Sequence, residues 1–569
     1  MLDITRAGPD SWRRYLDRAH REEGLLPPGL WTGRGLTAMG LHPGSAVTER
    51  QAELLFGKGM HPNADQIRAA LTEAEQDLET GQQPTVLGRP VAHIARPFLA
   101  VALAFRASPT VHLLWALGDE QTRATVEDAQ TLARDRTIAW IEDAVAKVRW
   151  GNGGRHRSAT DGLVVAVFRQ FDNLRGAPLL TDHALVSVKV QRPDGKWGNV
   201  HTAELFRYAV AAGTLYSLLL MEEITERLKV TWEPREVTAG SRPVWEIAGI
   251  PPELIAWKSS RRQEIAHYTQ ALITRYEARH GHPPGERARQ ALARWAAEDT
   301  GPDKHSPLPL PVLLHHWRQS AADLLGSESL LRLAQEAAEK TRTPVRQRID
   351  VGLAAVEITA IVGVMRGGFC HQHLLAEARR YLAAALRGHR HLPGTDEDIV
   401  AEALARYCTP AGTTPGIWSA DWSALYPHQS DDGTIAPESW PTSSSRYQRA
   451  QITARLRTDR LSAIRRDIIT ATGTPPKARP NGGRSKHQSN RSTSSPRPAL
   501  SQQFPTRETH MLRDENGATD GIPESTPVPA CPRGLDPEQP RISGTAPESP
   551  SRLTRRRCTP SPGSRPRQR

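Results

Sequence analysis

Few side chains in this sequence have the type and spacing to do chemistry, and several of the obvious ones read more simply as structure. Cys370-His371-Gln372-His373, with His389 and His391 close behind, supplies a thiol and imidazoles of the kind zinc takes. No second Cys-x-x-Cys pair follows to close a tetrahedral site, and the cluster opens a helical stretch, so a helix start is the commoner reading. Gly151-Asn152-Gly153-Gly154-Arg155 has glycines enough to cradle a phosphate but lacks the Gly-Lys-Ser/Thr ending of a P-loop. A glycine turn between a helix and a strand accounts for it. No Walker A motif occurs, so nothing supports a nucleotide-driven motor. His183 stands in a run of strand character, where a lone histidine is more often a satisfied strand residue than a ligand. Asp182, one position away, points to the opposite face by the strand period of two, where it would cap or solvate the strand edge. Tyr15, in Trp12-Arg13-Arg14-Tyr15-Leu16, reads equally as a nucleophile and as a packing residue of a first helix.

The elements that must position these residues fall into three blocks. Residues 1–118 mix turns and helices and contain an apolar run, Phe98 to Phe105, read as a buried strand with a helix as the alternative. Apolar positions at Val126, Ala129, Ala133, Trp140, Ala144 and Val148 mark a helix over 119–149 with one buried face. In the second block, about 160–250, Leu163 to Phe168 and His183 to Val190 are strands, and Pro193-Asp194-Gly195-Lys196 is a turn before Trp197. A helix from Ala203 to Leu228, a short strand Val230-Thr231-Trp232 and an extended Pro243 to Ile247 complete it. Strands and helices together predict an α+β or α/β sandwich. The third block is helical. Ser259 to Arg279, Glu328 to Lys340, Ile349 to Ile361 and His373 to Leu386 have helical periodicity, with Pro307 to Pro311 as an extended spacer. Pro410 to Ser445 is loop-rich, and Tyr447 to Ile469 reads as a basic helix.

Composition narrows the class. The 569 residues carry 74 Lys/Arg against 62 Asp/Glu, a net charge of +12. Pro475 to Arg569 holds 17 Lys/Arg and 8 Asp/Glu, so the tail has +9 and the first 474 residues only +3. That tail has 17 prolines and one aromatic residue, Phe504. It lacks the apolar surface needed to offset ordering entropy and is read as disordered. Its basic end, Ser551 to Arg569, would contact phosphates in a sequence-independent, salt-sensitive way, or be a solvated extension. No stretch of 18 apolar residues exists, which excludes a helical membrane span. The N-terminus lacks the apolar run of a signal peptide, and the four cysteines form no disulfide framework, so a reduced, cytoplasmic protein is expected.

The stretch Phe168-Arg169-Gln170-Phe171-Asp172-Asn173-Leu174-Arg175-Gly176-Ala177-Pro178-Leu179-Leu180-Thr181-Asp182-His183 resembles the histidine motif of the TrwC-type (MobF-class) conjugative relaxases, in particular their actinobacterial branch. Pro28-Gly29-Leu30-Trp31-Thr32-Gly33-Arg34-Gly35 through Met39-Gly40-Leu41 is similar to the family's N-terminal signature. Leu113-Leu114-Trp115-Ala116-Leu117-Gly118-Asp119 is similar to its central motif. Gln191 to Gly198, Trp232-Glu233-Pro234-Arg235-Glu236 and Arg242 to Ile250 continue the match, over roughly residues 10–340. The resemblance implies an antiparallel sheet with flanking helices in a relaxase-like domain at 1–340. A helical, loop-rich extension at 341–474 and a disordered basic tail at 475–569 follow, with no helicase region.

The family's chemistry, as the resemblance implies it, is attack by an N-terminal tyrosine on a DNA phosphodiester at a transfer origin, forming a phosphotyrosyl link that conserves the bond energy. Three histidines hold a divalent cation such as Mg²⁺ or Mn²⁺, which polarises the phosphate. Here the first family histidine falls on Gln170 and the second on Thr181, and only His183 is kept. The acid that would orient the tyrosine falls on Ala102, and the paired tyrosine motifs reduce to Tyr15. One imidazole and two neutral oxygens make a poor transition-metal site. The expectation is therefore a relaxase-like protein of a conjugative or integrative element, binding single-stranded or hairpin DNA, with nicking weak or lost. A non-catalytic DNA-binding accessory protein working with other conjugation proteins, or the product of a decaying relaxase gene, stays open.

Overall fold

The apolar run ending at Phe105 is the third strand of an antiparallel sheet, and its alternation shows how that sheet divides the molecule. Val101, Leu103 and Phe105 enter one hydrophobic core, while Ala100 and Ala102 enter a second on the other side. The computed structural model describes residues 2–425, apart from 9, 21–25, 74–86, 88–97, 174, 238–241, 259, 302–307 and 340–348. These belong to one unit, Met1–Arg479; the second, Pro480–Arg569, lies outside the described residues, as does the expected helix at Tyr447 to Ile469.

Strand β1 (Leu2–Ala7), helix α1 (Arg13–His20), β2 (Leu30–Thr32), α2 (Glu49–Ala52) and α3 (Ala64–Glu73) open the chain. Then come β3 (Ala100–Arg106), α4 (Pro109–Leu117) and α5 (Glu120–Trp140). Asp119 starts α5 by accepting the Thr122 N–H. The buried face expected from Val126 to Val148 holds as far as Ile138 and then breaks. A π-turn at Ile141–Val145 ends the helix, Ala144 is exposed, and Val148 is buried from a strand instead. That strand, β4 (Lys147–Trp150), forms a hairpin with β5 (His156–Ala159). The glycine turn at Gly151 to Arg155 thus joins two strands rather than a helix and a strand, and Gly151 (φ +81°) and Gly154 (φ +65°) take its left-handed positions.

Strands β6 (Val165–Asp172) and β7 (Pro178–Ser187) form the hairpin that carries the histidine motif, followed by β8 (Lys189–Gln191) and β9 (Trp197–Val200). β7 begins five residues before the expected start at His183, because Asn173 closes a tight turn by accepting the Arg175 and Ala177 N–H groups. Helix α6 (Thr202–Leu228) lies as expected, and β10 (Trp232–Arg235) pairs antiparallel with β11 (Val244–Ile247).

The main sheet has the order β1-β3-β7-β6-β2, every pair antiparallel, and a four-stranded sheet has the order β5-β4-β9-β8. Helices α4, α5 and α6 cover one face of the main sheet. Helix α1 and the segment around Trp31, Leu36, Met39 and Phe56 cover the other.

The helical block comprises α7 (Pro252–Lys258), α8 (Ser260–His280), α9 (Glu286–Asp299), α10 (Leu310–Leu325) and α11 (Ser327–Glu339). After it come α12 (Val351–Arg366), β12 (Gly368–Phe369), α13 (His371–Leu386), α14 (Thr395–Arg406), β13 (Cys408–Pro410), β14 (Trp418–Ala420) and α15 (Trp422–Leu425). The spacer read at Pro307 to Pro311 is instead the start of α10 from Leu310 onward. Pro311 sits in its first turn, where the missing N–H costs nothing. Helix α13 packs on α6 within the same core. Arg379 ties the two by donating to the Ala211 carbonyl at 2.9 Å and to Asp396 at 2.8 Å, with its guanidinium 4.2 Å from the Trp140 ring centre.

Candidate functional site

The β1-β3-β7-β6 register lays the candidate residues out in rows on the face turned away from α5 and α6. One row runs Asp3, Ala104, His183, Phe168, and the next runs Arg106, Thr181, Gln170. Ala102 lies one row further, opposite Thr5 and Leu185. Helix α1 lies over this face because Trp12 and Leu16 are buried in the core beneath it. That seats Tyr15 on the sheet, its ring centre 5.1 Å from His183 and 5.7 Å from Phe168. Phe168 needs Gly29 for room, since a Cβ there would lie 2.3 Å from the Phe168 ring.

His183 Nε2 donates to Gln170 Oε1 at 3.2 Å, and Gln170 Nε2 donates to the Asp172 carbonyl at 2.6 Å. The second bond fixes which end of the amide faces the imidazole. A β-bulge follows directly, between Gln170 and Asp172, at the place where bulges commonly re-aim side chains. Thr181 is 1% exposed, and its hydroxyl has no hydrogen-bond partner among the described residues. Tyr15, His183, Gln170 and Thr181 are therefore brought together on one face, and Ala102 leaves that face without an acid at its position.

Asp182 does not solvate the strand edge. It is fully buried behind His183, held by Arg169 (2.8 and 3.0 Å) and Arg134 (2.8 Å). Burial alone would raise its pKa, but the two guanidiniums override that and hold it below the ordinary aspartate range. Arg169 also donates to the Thr131 hydroxyl at 2.9 Å. The Tyr216 hydroxyl is buried without a partner among the described residues, and burial together with the Asp182 charge pushes its pKa well up.

The glycines of the N-terminal signature are architectural. Gly33 (φ +99°) and Gly35 let this segment close on Leu163, whose carbonyl oxygen would lie 2.3 Å from a Cβ at Gly33. Glu142 locks the contact by accepting from the Arg34 N–H, Arg34 Nε and the Leu163 N–H at 2.8–2.9 Å. The Cys370 cluster is likewise structural. His373 Nδ1 accepts the Cys370 N–H at 3.0 Å to cap α13, and burial lowers its pKa to about 4. His391 is bonded to Glu222 and His371 faces Glu397. Among the described residues no group of three or more His, Cys, Asp or Glu side chains is placed to hold a metal ion.

The TrwC relaxase family model matches residues 10–324, more than half of the chain. The chain belongs to the TrwC relaxase family. Among solved structures, a conjugative relaxase TrwC in complex with oriT DNA, metal-bound, is 21% identical. That alignment covers 57% of this chain and 98% of that one, with a TM-score of 0.43. A TrwC complex with a 27-mer DNA comprising the recognition hairpin and the cleavage site is 22% identical, covering 57% and 99%, with a TM-score of 0.40. No curated protein matches the chain.

A cation held as in the relaxase family would need three converging imidazoles, and the residues present do not fit it. Gln170 turns its one accepting oxygen to the His183 N–H, and Thr181 adds a neutral hydroxyl. Sequence reading missed two charged residues of this relaxase face, Asp3 and Arg106, joined at 2.7 Å. Their signal was alternation: Arg106 ends the apolar run of β3 on the same side as Ala102 and Ala104. Also missed was the second sheet's basic ribbon, where Lys147, Arg149, Arg155 and Arg157 are exposed. Trp150 is 37% exposed there, stacked on His156 and covered by Arg192 at 4.6 Å. Among the described residues no helix is long and apolar enough to cross a membrane.

Proposed function

We propose that this chain is a DNA-binding relaxase of a conjugative or integrative element, taking single-stranded or hairpin DNA at a transfer origin, with weak or lost tyrosine nicking. The observation that carries the reading is Tyr15 seated on His183 with Gln170 and Thr181 beside it. The scaffold that would present a tyrosine hydroxyl to a phosphodiester is kept, while the groups that would activate it are replaced. For nicking, the Tyr15 oxygen would attack phosphorus, the phosphotyrosyl bond forming as the sugar oxygen leaves, and the phenolic proton must go elsewhere. With alanine at position 102 no acid stands there to receive it, a loss of general-base help typically worth about 10²–10⁴ in rate. One imidazole gives little charge to balance the phosphate oxygens in the transition state.

The basic β4–β5 ribbon supports DNA binding independently of that chemistry. A two-stranded ribbon fits the major groove of a hairpin stem, and its arginines supply phosphate contacts. This favours a second reading, a non-catalytic DNA-binding accessory protein acting with other conjugation proteins. The test is a nicking assay on oligonucleotides from the transfer origin of its own element, with Mg²⁺ or Mn²⁺, alongside a binding assay. Expected are salt-dependent binding, reduced by Arg149→Gln with Arg157→Gln, and little covalent adduct. An efficient adduct abolished by Tyr15→Phe would overturn impaired chemistry, and absence of binding at low salt would overturn both readings.

A further inference from the structure

The misfit between the donor set and a metal leaves open what charge a phosphate would meet on this face. Arg106 answers it. It ends β3 opposite Thr181, which in turn is opposite Gln170, so the guanidinium-bearing residue stands in one row with the two substituted ligand positions. Side chains directly opposite in such a row share a face, with Cβ atoms about 5 Å apart. Asp3, on β1 in the row of Ala104 and His183, holds Arg106 Nη1 at 2.7 Å. The pair bridges the two rows diagonally. Between Asp3 and His183 in that row stands only the methyl group of Ala104. The Arg106 side chain is 37% exposed, buried enough to be held and open enough to be reached.

We infer that Arg106, and not a metal ion, supplies the positive charge that meets a DNA phosphate at this face, with Asp3 as its positioning residue. The inference rests on the DNA-binding reading and deepens it. A guanidinium offers five N–H donors in a planar fork suited to two phosphate oxygens. The Thr181 hydroxyl in the same row is buried, without a hydrogen-bond partner among the described residues. Gln170, already bonded to His183, needs no cation to be satisfied.

Two measurements on the full-length chain test this. In the first, binding of a fluorescein-labelled oligothymidylate is followed against salt, with EDTA or Mn²⁺ at matched ionic strength. The affinity is expected to be the same in both. Arg106→Gln should lose several-fold in affinity and lower the slope of log Kd against log salt by about 0.7, one single-strand phosphate contact. Arg106→Lys should keep the slope, and Asp3→Asn, which removes the competing carboxylate, should bind at least as tightly. In the second, MnCl2 and NiCl2 are titrated calorimetrically into the chain and into His183→Ala, with no difference expected. Gln170→His with Thr181→His should gain one equivalent of bound metal that His183→Ala removes. A stoichiometric site in the unaltered chain that His183→Ala abolishes overturns the inference. So does oligonucleotide binding with a slope that Arg106→Gln leaves unchanged. If the unaltered chain binds no oligonucleotide at all, the DNA-binding reading itself fails, a distinct result.

Discussion

Replacing Asp182 with asparagine tests whether the hairpin carrying His183 is held from behind. The carboxylate is fully buried and receives three charge-assisted hydrogen bonds, two from Arg169 at 2.8 and 3.0 Å and one from Arg134 at 2.8 Å. Asparagine has nearly the same shape but no charge, and it keeps one accepting oxygen, so the two guanidiniums lose their shared counter-charge. Removing one partner of a buried ionic cluster costs about 3–5 kcal/mol. Arg134 keeps Asp135 at 2.8 and 3.0 Å, and Arg169 keeps Glu127 at 3.5 Å, so the lower end, about 3 kcal/mol, applies. Urea unfolding followed by tryptophan fluorescence should show the midpoint falling with the slope unchanged. The pH dependence has a definite sign. Asp182 has a lower pKa folded than unfolded, so its contribution is present above the unfolded value, about 3.9. It is lost as pH falls through the folded value, and the gap between the two proteins should therefore close under acid. Arg169→Met combined with Asp182→Leu removes both charges and should recover part of the loss. A neutral-pH destabilisation by Asp182→Asn below about 1 kcal/mol, the size of an ordinary exposed ion pair, would refute the reasoning.

Three further substitutions probe other parts of the scaffold. Gly33→Ala would force a Cβ to 2.3 Å from the Leu163 carbonyl oxygen at a φ of +99°, and should cost about 3 kcal/mol in urea unfolding. Gly195→Ala, also at positive φ but with nothing within 4 Å, should cost about 1 kcal/mol. Burial would depress the His391 pKa, but Glu222 at 2.5 Å wins and raises it. The stability difference between the unaltered chain and Glu222→Gln should thus be full below about pH 6.5 and fade as pH rises through the folded value. A difference that grew with pH would contradict the assignment.

Helices such as α5, α6 and α13 were legible in the sequence because their periodicity is a local signal. Two starts were hidden for physical reasons. At β7 the polar Thr181 and Asp182 break the apolar run, yet both are buried, Asp182 because Arg134 is brought to it from α5. At α10 two prolines mimic an extended spacer although the first helical turn tolerates proline. In the site, Tyr15, Gln170, Thr181 and His183 could be located from the motif. Asp3 and Arg106 could not, because their rows exist only once β1 pairs with β3 and β3 with β7, over some hundred residues of sequence. Net charge misled in the same way. A body total of +3 gives little reason to expect a DNA surface and hides a local cluster, Lys147, Arg149, Arg155 and Arg157, that lies exposed on one hairpin.

The two faces of the β6–β7 hairpin are held by different groups of residues. Every residue with an odd number from Thr181 to Leu185 faces Tyr15 or its core, and Asp182 and Ala184 between them face α5. The register is fixed from the α5 side, where Asp182 meets Arg169 directly across the strands and Arg134 from the helix. Substitution on the Tyr15 side does not touch that cluster. Glutamine and threonine there also spare the fold the cost of bringing three imidazoles together without a cation. The part that holds the sheet in register is therefore separate from the face that carries Tyr15, Gln170, Thr181 and His183.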